Sequence, residues 1–156
     1  MVNLILYQTF YNHFLDKNDL IQYIYNYRIN ANFNDPKSMQ SFYDSLVCSY
    51  NNMIKYHSFL KQACKMEGQN CLKDYILKHC EEFDLAYHQS LYGSEPMPEA
   101  LRFATKYHAN ASSNMTLSWI LSDMPVSSED LASLIVQMRS LGMAELFKNG
   151  KSNPYQ

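Results

Sequence analysis

The chain has 156 residues, with 13 Lys and Arg against 15 Asp and Glu, for a formal net charge of −2. That length fits one domain, and hydrophobic residues at 47% supply a core without metal or disulfide staples. No basic stripe is present to neutralise a run of phosphates, so nucleic acid and an anionic membrane surface are both disfavoured as partners.

Val2 to Leu15 carries Leu6, Phe10 and Phe14 at helical spacing, and Asp16 to Asp19 is a polar break with good cap residues. Leu20 to Ile29 fits two periods. Leu20, Ile24 and Tyr27 suit a helix, while Ile21, Tyr23, Tyr25, Tyr27 and Ile29 alternate as in a strand. Helix is the assignment, because a lone strand with no partner leaves its backbone groups unpaired. Asp35-Pro36 is a strong helix start. From there Met39, Tyr43, Leu46, Tyr50, Met53, His57, Leu60 and Cys64 keep one heptad seam, which Gly68 ends. Leu72, Ile76, His79, Phe83 and Ala86 form the seam of a second helix that stops at Gly93.

Ser94 to Pro98 reads as a linker, Glu99 to His108 as a short helix, Asn110 to Ser113 as a polar loop, and Met115 to Ser122, with the single Trp119, as a short buried helix. Ser127 to Asp130 is close to a capping box and opens a helix that stops at Gly142. The fold class expected is all-α: an irregular helical bundle built on a long antiparallel helix hairpin of about 36–67 and 70–91. Residues 1–148 form one helical domain in this reading, and 149–156 a flexible C-terminal tail.

The hairpin carries a chemical consequence. Residues equidistant from its turn lie side by side, so Leu60 meets Ile76, Met53 meets Phe83, and His57 faces His79. Two facing imidazoles can hold a metal or move protons, with Glu82 one turn beyond His79 as a further ligand. The competing reading makes both histidines core residues satisfied by a tyrosine hydroxyl or a carbonyl. Cys48, Cys64, Cys71 and Cys80 read as free thiols in a reducing compartment, although Cys64 and Cys71 flank the turn. Glu81, Glu82 and Asp84 read as a solvated helix face. Gly-x-Ser-x-Gly and phosphate-cradling glycine loops are absent.

Tyrosine is in excess, at 13 residues. AT-rich codon usage gives such a composition, and so does a contact surface. The aromatic residues of the first third exceed what a small core takes, which assigns Tyr7, Tyr11, Tyr23, Tyr25, Tyr27 and Phe33 to a partner-binding surface. The function expected is therefore a non-enzymatic interaction protein of adaptor, inhibitor, immunity or effector type. It binds another protein through this Tyr/Phe-rich face, with no cofactor, no nucleic acid and no membrane, and with a homodimer left open. The alternative is a metal-binding or proton-handling helical-bundle enzyme centred on His57 and His79. The apolar start at Met1 to Tyr7 is too brief for a signal peptide and no stretch is long enough to span a bilayer. A cytoplasmic location is expected, with signal-independent export into a host cell left open. No motif points to a known family.

Overall fold

A computed structural model describes residues 2–148 and 153–155, with side chains from Gln8 onward. Among these residues there are eight α-helices and no strand. The all-α expectation holds.

Helix α1 spans Val2–His13. Helix α2, Lys17–Ile24, starts at Asp16, whose carboxylate accepts from the Asp19 amide, so an orphan N–H of the first turn is satisfied. It runs into a π-helical turn, Tyr25–Ile29, closed by the Asn30 amide donating to the Tyr25 carbonyl at 2.8 Å. This turn resolves the ambiguous segment. Widening the helix keeps residues four apart in line, so Ile21, Tyr25 and Ile29 are all buried. Tyr23 and Tyr27, on the other face, are exposed with ring centroids 4.6 Å apart. The strand-like alternation was two four-residue series interleaved.

Two departures mark the next stretch. Asp35-Pro36 opens only a 3-10 turn, Pro36–Ser38. Helix α3, Phe42–Lys55, begins instead at Ser41, whose hydroxyl accepts from the Asp44 amide at 3.1 Å. The seam is then interrupted at Tyr56, where the backbone leaves helical geometry (φ −104°, ψ 23°) before α4, His57–Lys65. Gly68 follows at φ +115°, a conformation that costs glycine nothing and other residues a clash. Helix α5 covers Leu72–Tyr92. Gln89 then ties the following turn, donating to the carbonyls of Gly93 and Glu95 at 2.8 and 2.9 Å.

Helix α6 is one continuous element, Glu99–Leu121, where two short helices and a loop were expected. Asn110, Ser112, Ser113 and Asn114 turn their side chains back onto the carbonyls four residues earlier, at 2.6 to 2.9 Å. Satisfied in this way, the polar residues stop competing for the backbone and the helix continues through them. Helix α7, Ser128–Gly142, is capped by Ser127, which accepts from the Asp130 amide. Helix α8 is the single turn Ala144–Phe147.

Helices α5 and α6 make the most extensive contact, with α4 lying against both and α3 packed on α7. Leu60, Leu72, Leu101 and Ile120 are fully buried among them. Beyond α8, Tyr155 is buried as well, so the segment expected to be a tail sends at least this ring into the core.

Candidate functional site

A polar centre lies where α3, α5, α6 and α7 converge. Three of its members come from helix faces that otherwise carry core residues. On α5, Asp84 and His88 lie one turn apart, between Phe83 and Tyr87. On α7, Arg139 continues the stripe of Leu131 and Ile135. Arg139 Nη1 and Asp84 Oδ2 are 2.6 Å apart and both side chains are 2% exposed. Burial alone disfavours charge on either. Burial raises the Asp84 pKa, and Arg139 offsets part of that rise. On Arg139 burial also works against the charge, but Asp84 and then Tyr155 and Cys80 hold its pKa above the ordinary value. The guanidinium further lies 4.7 Å over the Phe42 ring and donates from Nε to the Ser112 hydroxyl at 3.1 Å.

Beside the ion pair is a relay with a defined direction. Thr105 donates its one hydroxyl proton to the Leu101 carbonyl at 2.8 Å. Its oxygen can then only accept from His88 Nδ1, also at 2.8 Å. His88 is thereby the Nδ1–H tautomer, and its Nε2 accepts the proton of the Tyr155 hydroxyl. The Arg139 guanidinium lies 6.0 Å from the centroid of the Tyr155 ring. Burial, then Arg139 and His108, depress the His88 pKa to about 3, so the imidazole is neutral.

Against Arg139 and Asp84 is a cavity of about 50 Å³. Its wall is mostly apolar, with Phe33, Leu46, Met53 and Ile76. Its polar groups include the ion pair, Asn30, Ser49, Tyr50, His79, Ser113, Thr116 and Cys80. Most of these are committed: Ser113 to the Ala109 carbonyl, Thr116 to the Tyr50 hydroxyl at 3.1 Å. Burial raises the Cys80 pKa to about 11, which keeps it a thiol. Ser49 differs, because its hydroxyl is buried and has no hydrogen-bond partner among the described residues.

Of the residues expected from the sequence, His79, Tyr25 and Phe33 line this cavity, whereas His57 and Glu82 lie elsewhere. His57 Nε2 donates to the Ile120 carbonyl at 3.3 Å, with Asp123 at 3.4 Å. His79 Nε2 donates to the Phe33 carbonyl at 3.1 Å, and its ring stacks on Tyr75. The two rings serve different segments, His57 the end of α6 and His79 the 3-10 turn Ala31–Phe33, and in each the Nε2 lone pair is replaced by a proton engaged on a carbonyl. Glu82 pairs with Lys78 on an exposed face. Among the described residues no group of three His, Cys, Asp or Glu side chains could hold a metal ion.

Of the aromatic set, Tyr25 and Phe33 are core residues, whereas Tyr11, Tyr23 and Tyr27 are 51%, 48% and 62% exposed. The Tyr7 side chain lies outside the described residues. The four cysteines are free. Asp84 was grouped with a solvated acidic face, yet the signal against that lay in the sequence. Cys80, Asp84 and His88 repeat every four residues, and Arg139 interrupts an apolar stripe; a charge on a buried stripe demands a partner.

Over residues 40–140, well over half of its length, the chain matches the TetR-type family described as transcriptional regulator C-terminal region, and it belongs to that family. Comparison with curated proteins gives no match.

Family membership corrects two expectations. The chain belongs to a family of transcriptional regulators, neither an adaptor or effector nor a metal enzyme at His57 and His79. The exclusion of nucleic acid also fails. DNA contact in such regulators lies with an N-terminal domain, so a mild charge on this region says nothing about whether the regulator binds DNA. A regulator of transcription works in the compartment that holds the DNA, as the cytoplasmic expectation requires. No helix among the described residues is long and apolar enough to cross a membrane.

Proposed function

We propose that this chain is the effector-sensing and dimerising region of a transcriptional regulator. The observation that carries the sensing role is the cavity at Arg139 and Asp84, with the unpartnered Ser49 hydroxyl in its wall. Leaving a buried hydroxyl unpaired costs about 1–3 kcal/mol, a cost that a bound polar group removes. Water-sized occupancy takes roughly 10–15 Å³ per molecule, so about 50 Å³ suits about three to five waters or a neutral polar molecule of comparable size. Neutrality follows from Arg139 and Asp84 already balancing each other.

The test is a thermal-shift screen of small hydroxylated and carbonyl compounds on the wild type and Ser49→Ala. A compound that stabilises the wild type and loses most of its effect in Ser49→Ala supports the reading. A full screen with no shift, or one unaffected by Ser49→Ala, counts against it.

Dimerisation is supported by the outer faces of α6 and α7. Phe103, Tyr107 and Met115 on α6 and Leu134, Met138 and Leu141 on α7 are all half-exposed or more. Charge is sparse on both helices: residues 111–122, in and just after α6, have none, and the one charge in residues 131–142 of α7 is Arg139, which points inward. Uncharged apolar faces of this kind suit a two-fold contact between identical copies.

A further inference from the structure

The wall of the inner cavity holds three buried polar atoms that the fold leaves unmatched. Ser49 on α3, Asp84 on α5 and Arg139 on α7 line it and are 1%, 1% and 2% exposed. Arg139 Nη1 and Asp84 Oδ2 lie 2.6 Å apart. Yet neither atom, nor Ser49 Oγ, has a hydrogen-bond partner among the described residues. The guanidinium and the carboxylate attract as charges, without an Nη1–H aimed at that oxygen. We propose that the cavity takes a small primary amide, of the size of formamide or acetamide, whose N–C=O group bridges Arg139 and Asp84. The proposal rests on reading the cavity as the effector site, and it names the chemistry of the effector.

Three requirements select the amide. The first is the pairing of donor and acceptor. Arg139 Nη1 can only donate, and Oδ2 of a carboxylate can only accept. An occupant must therefore accept at one point and donate at a neighbouring one. In an amide the oxygen and the nitrogen are about 2.2 Å apart, from bonds of about 1.23 and 1.33 Å. They can face two atoms 2.6 Å apart through two roughly parallel hydrogen bonds. Both bonds are charge-assisted, the stronger kind.

The second requirement is Ser49. A primary amide has a further N–H to give to the Ser49 hydroxyl. An alcohol can serve Arg139 and Asp84 with its one oxygen but has nothing left for Ser49. The third is charge. Arg139 and Asp84 balance each other, so a carboxylate of the same shape brings a second anion beside Asp84. The remaining wall agrees with so small an occupant. Ser113 is committed to the Ala109 carbonyl and Thr116 to the Tyr50 hydroxyl, and the apolar side chains suit the hydrogen or methyl on the amide carbon. Formamide and acetamide fall within a volume of about 50 Å³, at roughly 10–15 Å³ per water-sized group.

Ligands this small bind at best with dissociation constants on the order of 0.1 mM, so the probes are used at millimolar concentration. Thermal unfolding of wild type is followed with formamide, acetamide, acetone, isopropanol and acetate. The series is repeated on Ser49→Ala, on which any general solvent effect acts alike. Acetone has the shape of acetamide without its N–H groups, isopropanol has a single hydroxyl, and acetate is charged. At about ten times its dissociation constant, an amide raises the melting temperature of wild type by about 4 °C. Ser49→Ala needs about five-fold more amide, or beyond, for the same shift. Acetone, isopropanol and acetate give less than half the shift at equal concentration. If any of these three matches the amides in wild type and loses its effect in Ser49→Ala, the amide is overturned while the sensing cavity stands. If no compound shifts wild type more than Ser49→Ala, both are overturned.

Discussion

Arg139 shows how a single buried charge decides its surroundings. Arg139→Met alone leaves the Asp84 carboxylate without its partner in an apolar wall, and breaking a buried pair in this way costs about 3–5 kcal/mol. Replacing both, as Arg139→Met with Asp84→Leu, is expected to recover most of that loss, because each variant then lacks the charge the other stranded. Urea unfolding of the two single variants and the double variant gives the coupling directly. His88 supplies the pH dependence. Its pKa is about 3 in the fold and about 6.5 when unfolded, so between these values the unfolded chain binds the extra proton. Stability from this group is complete above about pH 6.5 and drains as pH falls through that window. His79 and His108 are also depressed, first by burial, and act with the same sign. The urea midpoint of His88→Gln therefore falls less between pH 7 and pH 4 than that of wild type. Gly142 is a steric case: a Cβ there would sit 1.6 Å from His108 Nε2. Gly142→Ala loses about 1–3 kcal/mol through this overlap, and adding His108→Ala restores most of it.

The helices show what periodicity reports and what it does not. Heptad spacing in α3 to α5, the cap at Ser127 and the turn at Gly68 were legible because they follow from local geometry. The start of α3 was misplaced, since Asp35-Pro36 satisfies the same local rules as Ser41-x-x-Asp44 and only tertiary packing chooses between them. Loss of the true cap is the test: Ser41→Ala costs about 1 kcal/mol, and Asp35→Ala, which frees only a 3-10 turn, clearly less. Asn110 to Ser113 read as a loop because their side chains compete for backbone in isolation. Packed between α5 and α7 this stretch bonds backwards instead, and α6 runs unbroken. His57 and His79 sit on the seams as expected, but the departure at Tyr56 separates the two helices' registers. Each histidine then finds a helical backbone carbonyl, of Ile120 or of Phe33, rather than the other ring. The polar centre itself left a faint trace, as charges on otherwise apolar stripes, yet nothing local pairs Asp84 with Arg139 across 55 positions (139 − 84). That pairing exists only once α5 and α7 are packed.

At the scale of the whole molecule, a sensing cavity is useful to a regulator only if occupancy alters how two copies sit on their target. The proposed dimerisation would link the buried centre to the regulatory role. It can be tested without knowing the effector. Sedimentation velocity of the wild type at micromolar concentration is expected to show a species of twice the 18.3 kDa chain mass. Leu134→Glu with Leu141→Glu places charge on the exposed α7 face and is expected to give monomers of unchanged helical content, because both positions are solvent-facing in the single chain. A wild type that remains monomeric at tens of micromolar, or a dimer indifferent to the two glutamates, would contradict the account.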